Sequence, residues 1–444
     1  MRVFIVGAGE VGFNTAQMLS REGHDVIVVE QNEELVSRAS DQLDALVLHG
    51  NGASPKLLAE IGTRKSELLV AVTDSDEVNI TACLVAKAQG VKRTVARIRN
   101  PDYYDSKEPF ARDILGIDFV IHTERAAAEE IRDALRVPGS VNVETFADDS
   151  IEVAEVVIKE NSSAAGKAVK DVRLPQGSLV VGVVRKNETI VPRGDTVLRE
   201  NDHVFLIGER RRISEAVRVV VTDTRKVEEV MIFGGGRIGL RLALILEDEG
   251  ISVKVVEKDE ERAQYAASQL RKGLVLHDEG ISRDFLLQER VDRVDAFIAA
   301  TGDDRANLLA VMYAKQLGAR RTISIISRSE FAPLSEALGV DISISPRLIT
   351  AGAILRFVRK GDVLAVNVLE SGAEMIEMRV PDKCAVAGRP LSDVGFPKGA
   401  IVGAVLRDGE VMIPRGTDIL RSGDDAVIFT VDSAVDQVER LFAP

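Results

Sequence analysis

Val3-Phe4-Ile5-Val6-Gly7-Ala8-Gly9-Glu10-Val11-Gly12 is a run of four apolar residues that ends in G-x-G-x-x-G. A short, uninterrupted apolar run suits a strand buried on both faces of a parallel sheet. The first glycine permits a tight turn, the second lets the backbone approach a pyrophosphate, and the third lets helix and strand pack closely. The glycine pattern alone is weak evidence, but here it follows a predicted strand and opens a predicted helix, which is the context it needs. The helix N-terminus then offers N–H groups and a positive dipole to phosphate. Glu30 ends the next apolar run, Val26 to Val29, 18 residues after Gly12. A carboxylate there accepts hydrogen bonds from ribose hydroxyls and repels a 2′-phosphate, which points to NAD or an adenine nucleotide rather than NADP.

The alternation continues outward from this start. Ala45 to Leu48, Leu68 to Val72 and Thr94 to Ile98 are further short apolar runs, with helical stretches between them. One of those helices has Ser54 as N-cap, Pro55 in its first turn and Gly62 past its end. Right-handed crossovers through such helices give a doubly wound parallel sheet.

The same pattern returns. Gly7 to Gly12 recurs as Gly234-Gly235-Gly236-Arg237-Ile238-Gly239, 227 positions later, and Val28-Val29-Glu30 recurs as Val255-Val256-Glu257. Val72-Thr73-Asp74 is echoed by Ala300-Thr301-Gly302, Asn79 by Asn307, and Val191-Pro192-Arg193-Gly194 by Ile413-Pro414-Arg415-Gly416. Matches in the same order define a tandem duplication. Each Rossmann-like unit is followed by a smaller one whose β-branched runs, such as Ser178 to Ile207, are broken by Lys186-Asn187-Glu188 and Pro192-Arg193-Gly194. The expected fold is α/β: two doubly wound domains, at 1–123 and 227–345, each followed by a small α+β domain, at 138–222 and 361–444. Between them lie amphipathic crossover helices at 124–137 and 346–360. The first carries Ala127, Ile131 and Leu135 on one face, and such a stripe normally buries itself on a neighbour. These helices also motivate the expectation of a homo-oligomer.

Composition narrows the function. The 444 residues include 57 basic and 70 acidic ones, a net charge of −13, so nucleic acid is an unfavourable partner without a local basic patch. Two cysteines, Cys83 and Cys384, are too few for a disulfide framework or a zinc site, and no metal site is expected. There is no signal-peptide pattern and no apolar run of membrane-spanning length, so a cytoplasmic location is expected and a membrane role would run through a partner.

Thr73 and Asp74 follow the fourth strand at the carboxyl edge, where ligands bind in such sheets. They could reach adenine, ribose or phosphate, or cap the helix Val78 to Ala88, and both roles can hold together. Arg97 and Arg99 end the fifth strand on the same edge, where alternation puts two guanidiniums on one face, able to grip phosphates or simply be solvated. The second copy has Ile325 and Ser327 there. Arg237 replaces Glu10 in the second loop; a cation on a first helical turn opposes the helix dipole, so either a phosphate or solvent must compensate it. His49 and His277, at equivalent strand ends, read as hydrogen-bonded structural residues, and Cys83 as core. A dehydrogenase would need a proton donor beside the nicotinamide. The small units offer His203 alone, so no catalytic residue is assigned and a regulator is favoured over an NAD-dependent oxidoreductase.

The opening glycine motif, Gly50-Asn51-Gly52-Ala53-Ser54, Leu69-Val70-Ala71-Val72-Thr73-Asp74-Ser75-Asp76-Glu77-Val78-Asn79 and Ala96-Arg97-Ile98-Arg99-Asn100-Pro101 together resemble the TrkA family, the regulatory subunits of bacterial Trk potassium uptake systems. The resemblance covers essentially the whole chain. It implies tandem RCK (regulator of potassium conductance) N and C domains that bind NAD(H) and ATP/ADP. It further implies assembly into a gating ring, with four chains supplying eight units, and docking on the cytoplasmic face of a potassium-translocating membrane subunit. It places nucleotide contacts on Gly7 to Val11, Glu30, Thr73, Asp74 and Arg97, and on Gly234 to Ile238, Glu257 and Thr301.

Overall fold

The computed structural model describes residues 1–63, 66–100, 103, 116–186, 188–222, 224–279, 282–358, 363–369 and 371–443. Pro101, Asn187 and the junction at 359–362 between the second crossover helix and the last domain lie outside the described residues.

The first sheet consists of β1 (Arg2–Val6), β2 (Asp25–Glu30), β3 (Leu46–His49), β4 (Leu68–Ala71), β5 (Arg93–Arg97) and β6 (Phe119–Ile121). Their spatial order is β3-β2-β1-β4-β5-β6, and every described pairing is parallel. The order reverses beside β1, so the carboxyl ends of β2, β1, β4 and β5 lie side by side. β1 and β4 are buried on both faces, as their uninterrupted apolar sequences require. The second sheet repeats this plan with Glu229–Phe233, Ser252–Glu257, Leu274–His277, Ala296–Ala299, Thr322–Ile325 and Ile342–Ile344, in the same order.

The two small domains are also copies of each other. Each has a five-stranded sheet with the same strand order and ends in a helix, Ile213–Val220 or Val435–Phe442. An arginine fork fixes the turn that carries Pro-Arg-Gly in each copy. Arg185 donates to both oxygens of Asp202 at 2.7 Å and to the Val197 carbonyl, as Arg407 does to Asp424 and the Ile419 carbonyl. The Pro-Arg-Gly repeat therefore marks a structural turn. A shared apolar layer, with Phe205 and Phe429 at 5.6 Å, joins the two small sheets.

The crossover helices are Thr123–Arg136 and Pro346–Val358. Ala127, Ile131 and Leu135 of the first are all buried. Its Ala134 carbonyl accepts from Arg321 of the second Rossmann unit, and its Arg132 lies 4.0 Å from Glu249. The second crossover helix packs reciprocally on the first Rossmann unit: it lies along Glu10–Arg21, Phe357 stacks on Phe119, and the Phe357 carbonyl accepts from Arg93 at 2.7 Å. Both stripes are covered within the chain. The expectation of an oligomer therefore cannot rest on these helices, because their apolar faces are already buried.

Candidate functional site

The carboxyl edge of the first sheet gathers the residues singled out by sequence. Gly7 turns the chain out of β1 at φ +104°, a conformation that favours glycine, and a Cβ there would meet Thr73 at 3.1 Å. Thr73 is thus seated against the loop. Gly12 is tighter: a Cβ would come within 1.9 Å of the Gly7 carbonyl oxygen. At Gly9 a Cβ would meet nothing within 4 Å, so this side of the loop is open. Glu30 reaches across from β2, its carboxylate accepting from the Ala8 N–H at 2.5 Å, the Gln31 N–H at 2.7 Å and the Asn32 N–H at 2.8 Å. Glu10 faces Arg38 at 2.7 Å, and Val11 is buried behind the loop.

On the other side, Thr73 is held by Asn79, whose side chain is fully buried. The Asn79 oxygen accepts from the Thr73 N–H and hydroxyl, while its amide donates to the Thr73 and Arg97 carbonyls. Asp76 accepts from the Arg99 and Asn100 N–H groups. Neither Asn79 nor Asp76 has a role assigned from sequence, and the signal for both is their recurrence at the repeat offset as Asn307 and Asp304. The helix that follows is Asp76–Ala88, and its N-cap is Ser75. The capping alternative for Thr73 and Asp74 is therefore corrected, because Thr73 spends its hydroxyl on Asn79 and Ser75. Asp74 instead pairs with both arginines: its Oδ1 lies 2.7 Å from Arg97 Nη2 and 3.4 Å from Arg99 Nη1.

The second copy has the same frame. Gly234 turns at φ +106° beside Thr301, and a Cβ at Gly239 would come within 1.9 Å of the Gly234 oxygen. Gly236 is open, Ile238 is half-buried and Arg237 is exposed on the first turn. Glu257 accepts from the Gly235 N–H at 2.8 Å and also pairs with Arg262 at 3.2 Å. Asn307 holds Thr301 and the Ile325 carbonyl, and Asp304 holds the Ser327 and Arg328 N–H groups. Gly302, Ile325 and Ser327 stand where the first copy has Asp74, Arg97 and Arg99.

Helix capping separates the glycine loops from the rest of each unit. The helices Glu33–Gln42, Pro55–Glu60 and Asp76–Ala88 are capped by Asn32, Ser54 and Ser75 side chains, and their counterparts by Asp259, Ser282 and Asp303. The glycine-loop helices Glu10–Arg21 and Arg237–Asp248 have no side-chain cap. Their first-turn N–H groups therefore have no side-chain acceptor, next to the open Gly9 and Gly236, a setting suited to an anion.

Other sequence candidates fall away from this edge or into structural roles. His49 and His277 each bond a backbone carbonyl at 3.0 Å, that of Gln31 and of Lys258. Cys83 is fully buried, and burial pushes its thiol well above the ordinary range. His203 pairs with Glu155 at 2.5 Å in the first small domain. Among the described residues no cluster of His, Cys, Asp and Glu is suited to a metal, and no helix is long and apolar enough to cross a membrane.

Two Rossmann-type units, each with an uncapped glycine-loop helix and an acidic end to the second strand, define a tandem protein of the dinucleotide-binding class. The TrkA-N domain model matches residues 3–123 and 230–346, and the TrkA-C domain model matches 153–220 and 375–443. The chain is 37% identical to the Trk system potassium uptake protein TrkA homolog 2 of Methanosarcina mazei, with both chains covered completely. It is 34% identical to the TrkA of Halomonas elongata, covering all of this chain and 98% of that one. The chain belongs to the TrkA family. Among solved structures it is similar to the GsuK RCK domain, with a TM-score of 0.65 at 19% identity over 99% of this chain and 94% of that chain. The GsuK channel bound to NAD gives the same score and identity, over 99% of this chain and 78% of that one. The fold is therefore that of tandem RCK domains.

Proposed function

We propose that this chain is a nucleotide-sensing regulatory subunit of a potassium uptake system. It binds NAD(H) and ATP or ADP at its two glycine loops and gates a membrane-embedded potassium-translocating partner without chemical turnover. The observation that carries the reading is the uncapped glycine-loop helix beside Glu30 or Glu257, present twice in a chain that aligns over its full length with Trk potassium uptake proteins. The titles of similar structures, GsuK bound to NAD and GsuK bound to ADP, support both ligand classes.

In this reading the pyrophosphate lies on the open side of Gly9, against the first turn of Glu10–Arg21. Glu30 keeps the loop in shape through the Ala8 N–H and offers its remaining acceptor capacity to ribose hydroxyls. Gly7, Ala8, Val11 and Gly12 supply the loop, and Thr73 its far wall. Gly234, Gly235, Gly236, Ile238, Gly239, Glu257 and Thr301 repeat the arrangement, with Arg237 placed to attract phosphate charge. Four chains forming a ring of eight Rossmann units, peripheral on the cytoplasmic face of the inner membrane, would turn ligand preference into gating. A coupling of about 1–3 kcal/mol changes an affinity or an opening equilibrium about 5–150-fold. Calorimetric titration with NAD, NADH, NADPH, ATP and ADP tests the binding. Saturable binding of NADH and ATP with weak NADPH binding is expected; no binding of any of them overturns the reading.

A further inference from the structure

The arrangement at the end of β5 combines two arginines that are largely buried with a carboxylate that is not. Arg97 is 9% exposed, whereas the Asp74 side chain is 91% exposed. A buried guanidinium is costly unless an anion accompanies it, while an exposed carboxylate loses little by returning to water. Arg99 also has Asp76 3.9 Å away, but Arg97 is paired with Asp74, so whatever removes Asp74 from Arg97 must bring negative charge of its own.

The arginines are prepared for more than Asp74 supplies. One oxygen of Asp74, Oδ1, serves both guanidiniums; Asp76 Oδ1 lies 3.9 Å from Arg99 Nε, beyond hydrogen-bond reach, so the Nε groups of Arg97 and Arg99 are buried without a hydrogen-bond acceptor. A phosphate, with three oxygens, can serve donors that a single carboxylate oxygen cannot. Asp74 itself follows Thr73, which forms the wall of the glycine loop, so the pair lies next to the proposed nucleotide site along the same sheet edge.

The duplication separates this cluster from the scaffold that holds it. Asn307 and Asp304 make the same bonds to the neighbouring strand end as Asn79 and Asp76 do. Yet Asp74, Arg97 and Arg99 are replaced together, by Gly302, Ile325 and Ser327. The edge folds identically without the three charged residues, so folding does not explain their presence in the first copy.

We propose that Asp74 is an internal counter-anion: its carboxylate occupies the Arg97–Arg99 pair that a nucleotide phosphate must take over. It thereby sets the charge selectivity of the first site. This rests on the reading of that edge as a nucleotide site. Displacement returns the Asp74 carboxylate to water while Asn79 and the Ser75 cap keep Thr73 and Ser75 in place, so the change is one of charge rather than of loop shape.

The test is a titration of the full chain, its Asp74→Asn variant and its Arg97→Gln variant with adenosine, ADP and ATP. Thermal unfolding checks that the variants fold. Asp74→Asn should raise ATP affinity about two- to fivefold at one class of sites, matching the modest worth of an exposed ion pair. The ratio of ATP to adenosine affinity is the readout, and the second site, which lacks the cluster, serves as an internal control. Arg97→Gln should lower ATP affinity. A merely structural role for Asp74 would move adenosine and ATP together or neither. An unchanged or lower ratio of ATP to adenosine affinity in Asp74→Asn overturns the inference alone. Failure of all three proteins to bind any of these ligands overturns the reading of the site as well.

Discussion

Alanine substitution at two glycines of one loop should give opposite kinds of damage. At Gly12 the added Cβ would stand 1.9 Å from the Gly7 oxygen, 2.9 Å from the Gly7 carbonyl carbon and 3.3 Å from Val72 Cγ2. Carbon and carbonyl oxygen settle at about 3.3 Å, so the loop must open by about 1.4 Å, and the obstacle is backbone rather than a flexible side-chain end. Overpacking costs about 1–3 kcal/mol, and a backbone clash belongs at the upper end. About 3 kcal/mol corresponds to a fall of about 6–12 °C in the first thermal transition, that of the unit containing the loop. Gly9 is the contrast. Its backbone, at φ −62° and ψ −176°, is open to any residue, and a Cβ there meets nothing within 4 Å. Gly9→Ala should therefore leave the transition unchanged or raise it slightly, by about 0.4–1 kcal/mol through the unfolded chain. Its methyl group, however, stands where the proposed binding mode puts the pyrophosphate, and NADH affinity should drop about tenfold or more. The assay is calorimetric unfolding of both variants with and without NADH, followed by titration. Wild-type NADH affinity in Gly9→Ala, or equal destabilisation by both variants, would refute the reasoning.

Glu30→Ala leaves the buried Ala8 N–H without its acceptor, at a cost of about 1–3 kcal/mol, and removes the proposed ribose partner; denaturant unfolding should show the loss, with NADH binding weakened in parallel. Preference for NADH over NADPH should narrow in the same variant, and comparable affinities in the wild-type chain would contradict the role given to Glu30. Arg237→Ala should weaken ATP binding at the second loop while leaving NADH binding at the first intact, measured by titration of each ligand. In the small domains, burial first, and then the charges of Asp133 and Glu155, push the Glu144 carboxyl up from 4.5 to about 7, against the hydrogen bonds from Asn142 and Asn367. A raised folded-state value means that its contribution to stability is complete below about pH 4.5 and is lost as pH rises to about 7. Glu144→Gln should flatten the pH dependence of unfolding across that window, and an unaltered slope would contradict the assignment.

Much of the fold was legible because parallel strands buried on both faces read as uninterrupted apolar runs, as Val3 to Val6 and Leu68 to Val72 do. The repeat then fixed the plan twice over. Glu30 and Glu257 were legible for the same reason: they sit at the ends of such runs, at a set distance from the glycines. What was hidden depends on side-chain partners rather than periodicity. Nothing in the spacing of Asp74, Arg97 and Arg99 says that they pair with one another, since the partners come from different strands. The covering of the crossover helices was likewise invisible. A stripe of Ala127, Ile131 and Leu135 demands a neighbour, but which neighbour covers it is a tertiary fact. Asn79 and Asp76 could have been found by asking which polar residues recur at the repeat offset although no surface role requires them.

The central claim is that nucleotide occupancy of this chain regulates potassium movement through a membrane partner. Potassium flux into vesicles containing the potassium-translocating subunit, with and without this chain and each nucleotide, tests it most directly. Flux should depend on the chain, differ between NADH and ATP, and lose its NADH dependence in Gly9→Ala, with no consumption of NADH. Flux indifferent to both chain and nucleotide, or NADH oxidation by the chain alone with a small substrate, would contradict it.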